Sequence, residues 1–455
     1  MAGLSMHRIG WLIRRVGRIY PAEIPYRVAS VLRSAVQARG WFDAKRVPTP
    51  ASDAKYGAPW VQVPSQGTVV TAALSASVKQ IFTEGVPVFD VRVPLTNSDV
   101  DWNRDPKTGT DIGRGFGLAI DFRHIAGGVD IKYLWEINRH IWWVPFAQAY
   151  ALTGELCYLE TLQTLLDSWL KACPYPLGAN WSSPVEHGIR LINWSIVWHL
   201  IGGVNSPMFA NPAGAALRTR WLDAIYQHIR FASDNYSKYS SADNHLIGEA
   251  AGLFVAAHTW NLWADVRQLR NQAKQILEAE VIKQFSSDGV NTEQAICYHK
   301  FSFEFLLAAM LAGENNGDGF SRKFKTRMQS AIEFVAAMMD CAGKVPAIGD
   351  SDDGKVFEFT DGSDVSGYES MLRAGSIVLH SAVASAKLRL LGRAQTPESL
   401  WFKVPPSLEP PSQPIEEVDL PTKFPVGGYF ILGKDLHRAT ELRVTMDVGP
   451  MGSNK

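Results

Sequence analysis

The sequence predicts a mainly α fold followed by the start of an antiparallel β-sheet. Long segments carry apolar residues at 3.6-residue spacing, and short Gly, Pro, Asn or Ser breaks separate them. Helices joined by short breaks form antiparallel hairpins. Because no fixed sequence motif repeats along this series, a superhelix or closed α/α toroid is favoured over an ordinary solenoid.

Residues 1–66 are expected to form an N-terminal basic helical arm and a linker. Within 7–38, apolar residues form a helical stripe surrounded by arginines. An arm that packs on the main body is favoured over a helix lying on a membrane surface. Residues 43–66 are rich in Pro, Ala and Ser, which is typical of a connection.

Residues 67–400 are expected to form the helical domain, here predicted to be the toroid. The periodicity predicts helices over Leu134–Thr153, Glu155–Ala172, Val185–Ile201, Ala215–Tyr236, His245–Leu262, Trp263–Ser286, Gln294–Ala312, Ser321–Cys341 and Met371–Leu391.

Residues 401–455 are expected to form a proline-rich linker, over 402–424, and the first strands of a β domain. Gly427–Leu432 and Leu442–Val448 alternate in strand-like fashion around a turn. Since two strands are not stable by themselves, either the sheet is incomplete or it packs on the helical body.

Composition excludes some classes of function. Lys and Arg together number 45 and Asp and Glu together 45, so the net charge does not suggest a nucleic-acid partner. The N-terminus lacks a signal-peptide pattern and no apolar run is long enough for a transmembrane segment. A cytoplasmic location is therefore expected, or a periplasmic or exported one if the true N-terminus differs. The 15 Trp residues fit large helical cores better than sugar-stacking platforms, the second possibility.

The stretch Asp288–Leu307 combines a polar, turn-like first half with a dense apolar run. As a helix, the run is apolar on two opposite faces, with Tyr298 on one and His299 on the other. A helix of this kind is covered on both sides, so Tyr298 is expected to point into an enclosed space. A packed aromatic residue without a chemical role is the alternative for Tyr298.

Polar residues also cluster at two other places within the predicted helical segments. Asn244 and His245 lie at a predicted helix start, with Ser241 or Asp243 as possible caps. Asn244 is alternatively a simple capping residue and His245 a core histidine. The second cluster places a carboxylate, a guanidinium, an amide and an indole on one helix face; an ordinary i,i+4 ion pair is its alternative. Its residues are Glu186, Arg190, Asn193 and Trp194.

Asparagine, histidine, tyrosine and arginine suit β-elimination from a uronate polysaccharide. That reaction needs donors that neutralise the uronate carboxylate, a base for the C5 proton and an acid for the leaving oxygen, without a metal. Inverting hydrolysis on an α/α toroid would instead need two carboxylates, and Glu186 with Asp350, Asp352 or Glu293 could supply them. The motifs of zincins, P-loop NTPases and serine hydrolases are absent from the sequence.

The motifs DWNRDP, DIKYLWEINRH, NWSSPVEHGIRLINW, DNHLIGEAAGL, DGVNTEQAICYHKF and IGDSDDGK, in this order, resemble the heparinase II/III family of polysaccharide lyases. The resemblance implies an incomplete (α/α) toroid followed by an antiparallel β-sandwich, with an anionic polysaccharide or oligosaccharide bound in the cleft between them. It extends from about residue 70 to the C-terminus.

Carried over to this sequence, the resemblance implies that Asn244 neutralises the uronate carboxylate, with His245 contributing to the same site. It implies that Tyr298 is the catalytic acid and, for some substrates, also the base. Glu186, Arg190, Asn193, Trp194 and His299 are assigned to the substrate-binding cleft wall or its support. No cofactor is expected in the helical domain.

Family members carry a further catalytic histidine, and in some cases metal-binding residues, after a segment similar to MDVGPMG. This sequence ends at Lys455 just after that segment, so a C-terminally truncated form is expected, and its activity is left open. A non-catalytic protein that binds acidic glycans and an α/α-toroid glycoside hydrolase are the alternatives to a lyase.

Overall fold

The computed structural model of the protein describes residues 21–40, 46–64, 70–95, 100–122, 124–125, 127–351, 354–359, 367–392, 401–408 and 419–449. The helices are α1 (Glu23–Ala38), α2 (Val70–Glu84), α3 (Ile131–Asn138), α4 (Val144–Thr153), α5 (Leu156–Ala172), α6 (Pro184–Leu200), α7 (Pro212–Asp234), α8 (Asp243–Thr259), α9 (Ala264–Gln284), α10 (Ile296–Asn315), α11 (Arg322–Met338), α12 (Gly367–Val378) and α13 (Ala382–Leu390). The strands are β1 (Lys55–Tyr56), β2 (Val86–Val88), β3 (Val91–Val93), β4 (Trp260–Asn261), β5 (Lys423–Phe424), β6 (Tyr429–Lys434) and β7 (Leu442–Asp447).

The helices form two layers. In the inner layer α4 packs on α6, α6 on α8, α8 on α10 and α10 on α12. In the outer layer α5 packs on α7, α9 on α11 and α11 on α13, and each outer helix also packs on an inner neighbour. The mainly α prediction is confirmed, and this layered arrangement is the incomplete (α/α) toroid that was expected.

The inner helices α6 and α8 run parallel to each other. Val185, near the start of α6, lies against Gly248 in the first half of α8. Farther along, the hydroxyl groups of Ser195 on α6 and Thr259 at the end of α8 are 2.7 Å apart. The first turns of both helices therefore lie at the same end of the molecule.

The inner helix α10 follows the same direction, and the outer helix α9 the opposite one. Gly248 of α8 contacts Phe305 of α10, and Phe254 of α8 contacts Gly313 farther along α10. Gln284, at the end of α9, instead donates to the Asp243 carbonyl at the start of α8 over 2.7 Å. The N-terminal ends of α6, α8 and α10, each with a partial positive charge, consequently face the same side.

Several helix boundaries differ from the prediction. The segment Leu134–Thr153 is not one helix, because His140 has φ +60° and separates α3 from α4. Met371–Leu391 is likewise divided into α12 and α13 near His380, which has φ +51°. Helix α2 was not predicted at all. Periodicity alone does not reveal a single left-handed residue inside an apolar segment.

The two segments described as linkers are partly built into the body. Trp60 is fully buried and its indole donates to Ser195 on α6 over 2.9 Å. Val61 pairs with Phe402, which is 5% exposed. Strand β1 pairs with β4 at the end of α8. Composition predicted linkers here, whereas single aromatic residues fix both segments to the core. The proline-rich residues 409–418 lie outside the described part.

The strand prediction near the C-terminus is confirmed. β6 pairs with β7 in antiparallel fashion, and β5 adds a third strand in the order β5-β6-β7. Of the two alternatives, packing on the helical body is observed: the Phe334 ring of α11 lies 5.0 Å from Phe424 and 5.4 Å from Tyr429.

The tryptophans lie mainly in the core. The fully buried ones are Trp60, Trp102, Trp143, Trp169, Trp181, Trp194, Trp198, Trp221, Trp260, Trp263 and Trp401. This supports the core interpretation over stacking platforms for those residues. Among the helices of the described ranges, none is both long and apolar enough to cross a bilayer.

Candidate active site

The stretch 288–298 lies where distant parts of the chain meet. The backbone N–H of Ile296 donates to the Ile348 carbonyl over 3.1 Å, which fixes the loop after α11 against the start of α10. Asp288 accepts the backbone N–H of Val426 over 2.7 Å, which fixes the C-terminal sheet to the same stretch. The stretch 288–298 also contacts the first turn of α8.

Asn244 lies in that first turn, and both its backbone and side-chain N–H groups donate to Glu293. The backbone nitrogen is 3.1 Å from Oε1, and Nδ2 is 3.1 Å from Oε1 and 2.9 Å from Oε2. Helix α8 begins at Asp243 after Ala242, which supplies no side-chain cap. Glu293 therefore caps this helix from another element. The prediction that Ser241 or Asp243 caps it is wrong.

Glu293 has an unusual ionisation equilibrium. Burial and, to a smaller extent, the negative charge of Asp243 raise its pKa to about 7, although the hydrogen bonds from Asn244 act in the opposite direction. The carboxyl group therefore changes its charge near neutral pH, where an unperturbed glutamate is fully ionised.

The backbone beside this contact is conformationally strained. Asp243 has φ +28° and Gln294 has φ +56°. Residues other than glycine rarely adopt such angles, and strained positions that the surrounding structure enforces cluster at functional sites. The strain thus lies on both sides of the Asn244–Glu293 contact.

Tyr298 lies in the first turn of α10 and is half-buried. The thiol of Cys297 donates to the Asp350 carbonyl over 2.9 Å, and Nε2 of His299 lies 3.0 Å from the Ala331 carbonyl. The turn that carries Tyr298 is thus fixed on two sides. His299 is 1% exposed and faces α11, so its predicted contact with substrate is not supported.

The structure brings the catalytic candidates to one end of the inner layer. Tyr298 follows Glu293 by five residues, and Glu293 holds Asn244. His245, next to Asn244, is exposed at this end of α8. The roles given to Asn244, His245 and Tyr298 remain predictions, but their helices begin on the same side.

Glu186 is paired with an arginine that was not singled out. Arg139 binds it in bidentate fashion, with Nε 2.8 Å from Oε2 and Nη2 2.9 Å from Oε1, and also binds Glu136 over 2.7 Å. The i,i+4 pair with Arg190 is therefore not the main contact of Glu186. The Arg139 guanidinium lies 6.0 Å from the Phe301 ring, which connects α3 to α10.

The other predicted cleft-wall residues lie in the interior. Arg190 is fully buried and donates to the Asn138 carbonyl over 2.9 Å. Asn193 donates to the Val356 carbonyl over 2.8 Å, and the Trp194 indole donates to a buried histidine. Since none of the three has accessible surface, direct contact with a ligand is not supported. A supporting role is what remains for them.

A cavity of about 770 Å³ opens beside this end of the toroid. Ser351 forms part of its wall and directly follows Asp350, which contacts Cys297 in the turn of Tyr298. The cavity has both charges and aromatic surface. Its acidic residues are Asp90, Asp130, Glu136 and Glu358, its basic residues Arg92, Lys132 and Lys355, and its aromatic residues Phe89, Tyr133 and Trp142.

Within the ranges that the structure describes, no group of three or more His, Cys, Asp or Glu residues is arranged to hold a metal ion.

Comparison with known proteins finds relatives by sequence and solved structures with a similar fold. A heparin-sulfate lyase from Pedobacter heparinus is 23% identical over 229 residues, which cover 49% of this chain and 33% of that protein. A heparin-sulfate lyase from Bacteroides thetaiotaomicron is 27% identical over 185 residues, 40% of this chain and 25% of that protein. The matched parts thus span a third or less of these relatives.

Two solved structures share the fold. The heparan sulfate lyase HepC from Pedobacter heparinus superposes with a TM-score of 0.51 at 15% identity, over 95% of this chain and 58% of that chain. A heparinase III structure superposes with a TM-score of 0.54 at 16% identity, over 86% and 55%. At such identities these superpositions establish the fold alone.

The family assignment follows from the sequence. The model of the heparinase II/III N-terminus matches residues 54–361, which is more than half of the chain and includes α2 to α11 and the loop after them. The protein belongs to the heparinase II/III family.

Proposed function

We propose that this protein is a polysaccharide lyase that cleaves a uronate-containing anionic glycan by β-elimination. Asn244 and Tyr298, the residues with the required chemistry, lie in the first turns of neighbouring parallel helices, and Glu293, five residues before Tyr298, accepts the Asn244 amide; this observation carries the proposal. Family membership and the names of the relatives, which are heparin-sulfate lyases, support it.

In the proposed reaction, the Asn244 amide neutralises the uronate carboxylate and so makes the C5 proton more acidic. A base removes that proton, the C4–O bond breaks as the C4–C5 double bond forms, and an acid protonates the leaving oxygen. Tyr298 is assigned the acid role and, where substrate stereochemistry allows, the base role. The exposed His245 is assigned to the same site.

The site environment favours an anionic ligand. The N-terminal ends of α6, α8 and α10 face the same side, and their partial positive charges stabilise anions there. The neighbouring cavity of about 770 Å³ has the size of a ligand site and offers aromatic residues on which sugar rings can lie. We assign this cavity to sugar units adjacent to the reacting uronate.

Hydrolysis by a carboxylate pair fits the geometry of the site less well than β-elimination does. Glu186 is 2% exposed and both of its oxygens are bound by Arg139, so it is not available to activate water or protonate a leaving group. Every carboxylate pair that the sequence suggested for hydrolysis contains Glu186, so none of those pairs is placed to act at a glycosidic bond.

The test is product analysis with heparan sulfate, heparin and alginate as substrates. A lyase generates a 4,5-unsaturated uronate, which absorbs in the ultraviolet, whereas a hydrolase gives saturated products only. Saturated products would contradict the elimination mechanism. Equilibrium binding of an acidic oligosaccharide without any product would instead support a glycan-binding protein.

Tyr298→Phe is expected to lower kcat by about 100-fold or more, because it removes only the hydroxyl that transfers the proton. Tyr226→Phe is the matched control: it also loses a hydroxyl, which here bonds Asp265 in the outer layer over 2.9 Å. Turnover rates and thermal unfolding of both variants check this. A near-normal rate for Tyr298→Phe would remove Tyr298 from the catalytic role.

A further inference from the structure

We propose that Glu293 is a positioning residue of this site, which holds the Asn244 amide and, when ionised, competes with the uronate carboxylate of the substrate for it. This inference rests on the proposed function. It concerns a residue for which the sequence suggested only a hydrolytic role, as one member of a carboxylate pair.

The side chain of Asn244 offers a ligand only one donor group, its Nδ2 amide. An asparagine amide has two N–H groups, and Nδ2 of Asn244 lies within hydrogen-bonding distance of both Glu293 oxygens, at 3.1 and 2.9 Å. The remaining side-chain atom is a carbonyl oxygen, which cannot donate to a carboxylate. A uronate carboxylate that binds Asn244 must therefore use the same Nδ2 group and lie close to the Glu293 carboxylate, whether it displaces Glu293 from one N–H or binds the other.

The Glu293 carboxylate lies at the N-terminal end of α8. Glu293 also accepts the backbone N–H of Asn244, one of the unpaired donors at the start of α8. A carboxylate at this place is stabilised by the helix dipole as well as by the amide. These are the interactions that a bound uronate carboxylate would need, so Glu293 lies where that group is expected.

A second carboxylate adds to the negative charge around Glu293. Asp243 on α8 adds negative charge next to Glu293. Gln284 connects Glu280 on α9 to the Asp243 carbonyl, with bonds of 2.7 Å to each. Among the described residues, no Lys or Arg forms an ion pair with Glu293. Further titratable groups on the elements packed here include His245 and Glu249 of α8, Tyr298 and His299 of α10, and Asp350 of the loop after α11.

The consequence is a dependence of substrate binding on pH. With a pKa of about 7, the protonated fraction of Glu293 falls about tenfold between about pH 6 and about pH 8. A protonated Glu293 is neutral and can donate its O–H to a uronate carboxylate, whereas an ionised one repels it. Binding is therefore expected to weaken as pH rises through this range.

The experiment uses the full chain, with 15N-labelled asparagine and glucuronate as the probe. The Asn244 side-chain amide signal, assigned by its loss in Asn244→Asp, is followed in titrations at about pH 6 and about pH 8. Wild type should bind glucuronate about tenfold more tightly at the lower pH. Glu293→Gln keeps an oxygen that accepts from Asn244 but lacks the charge, so its affinity should be equal at both.

The controls separate this role from simple helix capping. Glu278→Gln, in which the altered carboxylate bonds Ser321 in the outer layer instead of Asn244, should retain the wild-type pH dependence. A neutral methyl glucoside should leave the Asn244 signal unchanged. A cap alone predicts altered thermal stability in Glu293→Gln with an unaltered pH profile, and that result would overturn the inference.

The titration does not require turnover, so it is separate from the test of the lyase activity. If no unsaturated product is formed but glucuronate binds with the expected pH dependence, the proposed reaction fails and the role of Glu293 stands. If glucuronate does not shift the Asn244 signal in wild type or in Glu293→Gln at either pH, the inference is wrong, whether or not the protein has lyase activity.

Discussion

At the scale of single residues, buried carboxyl groups govern how the protein responds to pH. Glu249 lies on α8 five residues after Asn244 and is fully buried. Its two oxygens accept the backbone N–H and the hydroxyl of Ser237, each over 2.6 Å. Burial nevertheless raises the pKa of Glu249 to about 8, so the folded protein binds a proton that the unfolded chain has already released.

Glu249→Gln is expected to remove a pH dependence of stability. Between the ordinary value of 4.5 and about 8, the carboxyl is protonated in the folded protein and ionised in the unfolded chain. The free energy of unfolding should therefore fall as pH rises, by about 1.4 kcal/mol per pH unit. Urea unfolding across this window should show that slope reduced in Glu249→Gln and kept in Glu160→Gln, an exposed control.

At the scale of elements, glycines set the distance between the inner helices. A Cβ at Gly252 of α8 would lie 2.2 Å from Cα of Gly188 on α6, and a Cβ at Gly188 would lie 2.3 Å from the Gly248 carbonyl oxygen. The nearest atoms belong to the backbones of the two helices, so no flexible side chain can move aside to make room for a Cβ. The parallel packing that brings the helix starts together depends on this glycine seam, formed by Gly188, Gly248 and Gly252.

Gly252→Ala is expected to lower the free energy of unfolding by about 1–3 kcal/mol or more, because the added methyl group forces α6 and α8 apart. Gly115→Ala is the control, since a Cβ there has no neighbour within 4 Å. Chemical denaturation of both variants checks the difference. Equal stability of Gly252→Ala and wild type would mean that the helices separate at little cost.

At the scale of the whole molecule, one continuous core extends from Trp60 to Ile431. The C-terminal sheet is joined to it by the Phe334 contacts and by Arg443, which donates to the Ala337 carbonyl over 2.7 Å. Asp288 adds a second attachment through the backbone N–H groups of Val426 and Gly427. The turn before Glu293 is therefore held by the sheet.

Asp288→Ala is expected to loosen this attachment, because two backbone donors lose their acceptor. Amide hydrogen exchange should become faster in β5 and β6 and in the turn 288–294, while the middle of α8 should be unaffected. Asp419→Ala, an exposed carboxylate before β5, is the control. Unchanged exchange in the turn would show that the aromatic contacts alone hold the sheet.

Local patterns predicted much of the fold, since helix periodicity and strand alternation depend on neighbouring residues. The segments around α6, α8 and α10 and the pairing of β6 with β7 were predicted in this way. The left-handed residue His140 and the anchors Trp60 and Phe402 were not, because a single backbone angle or one buried ring leaves no periodic signal.

The candidate site could be predicted as a set of residues but not as a set of contacts. Asn244 and Tyr298 were proposed from motifs, and their roles stay predictions. The Asn244–Glu293 contact, by contrast, joins residues 49 apart and the Arg139–Glu186 contact residues 47 apart. Such pairs form only when the helices pack into a ring. The same packing buried Arg190 and Trp194, which helix spacing alone had placed on a cleft wall.

The separation between the glycine seam and the ends of the inner helices has an evolutionary consequence. The seam lies within α6 and α8, whereas the proposed chemistry lies in their first turns and in the segments that precede them. Substitutions and insertions in those segments can therefore alter the proposed ligand specificity while the close-packed interior stays intact. Divergence at this end of the molecule is compatible with an unchanged helical framework.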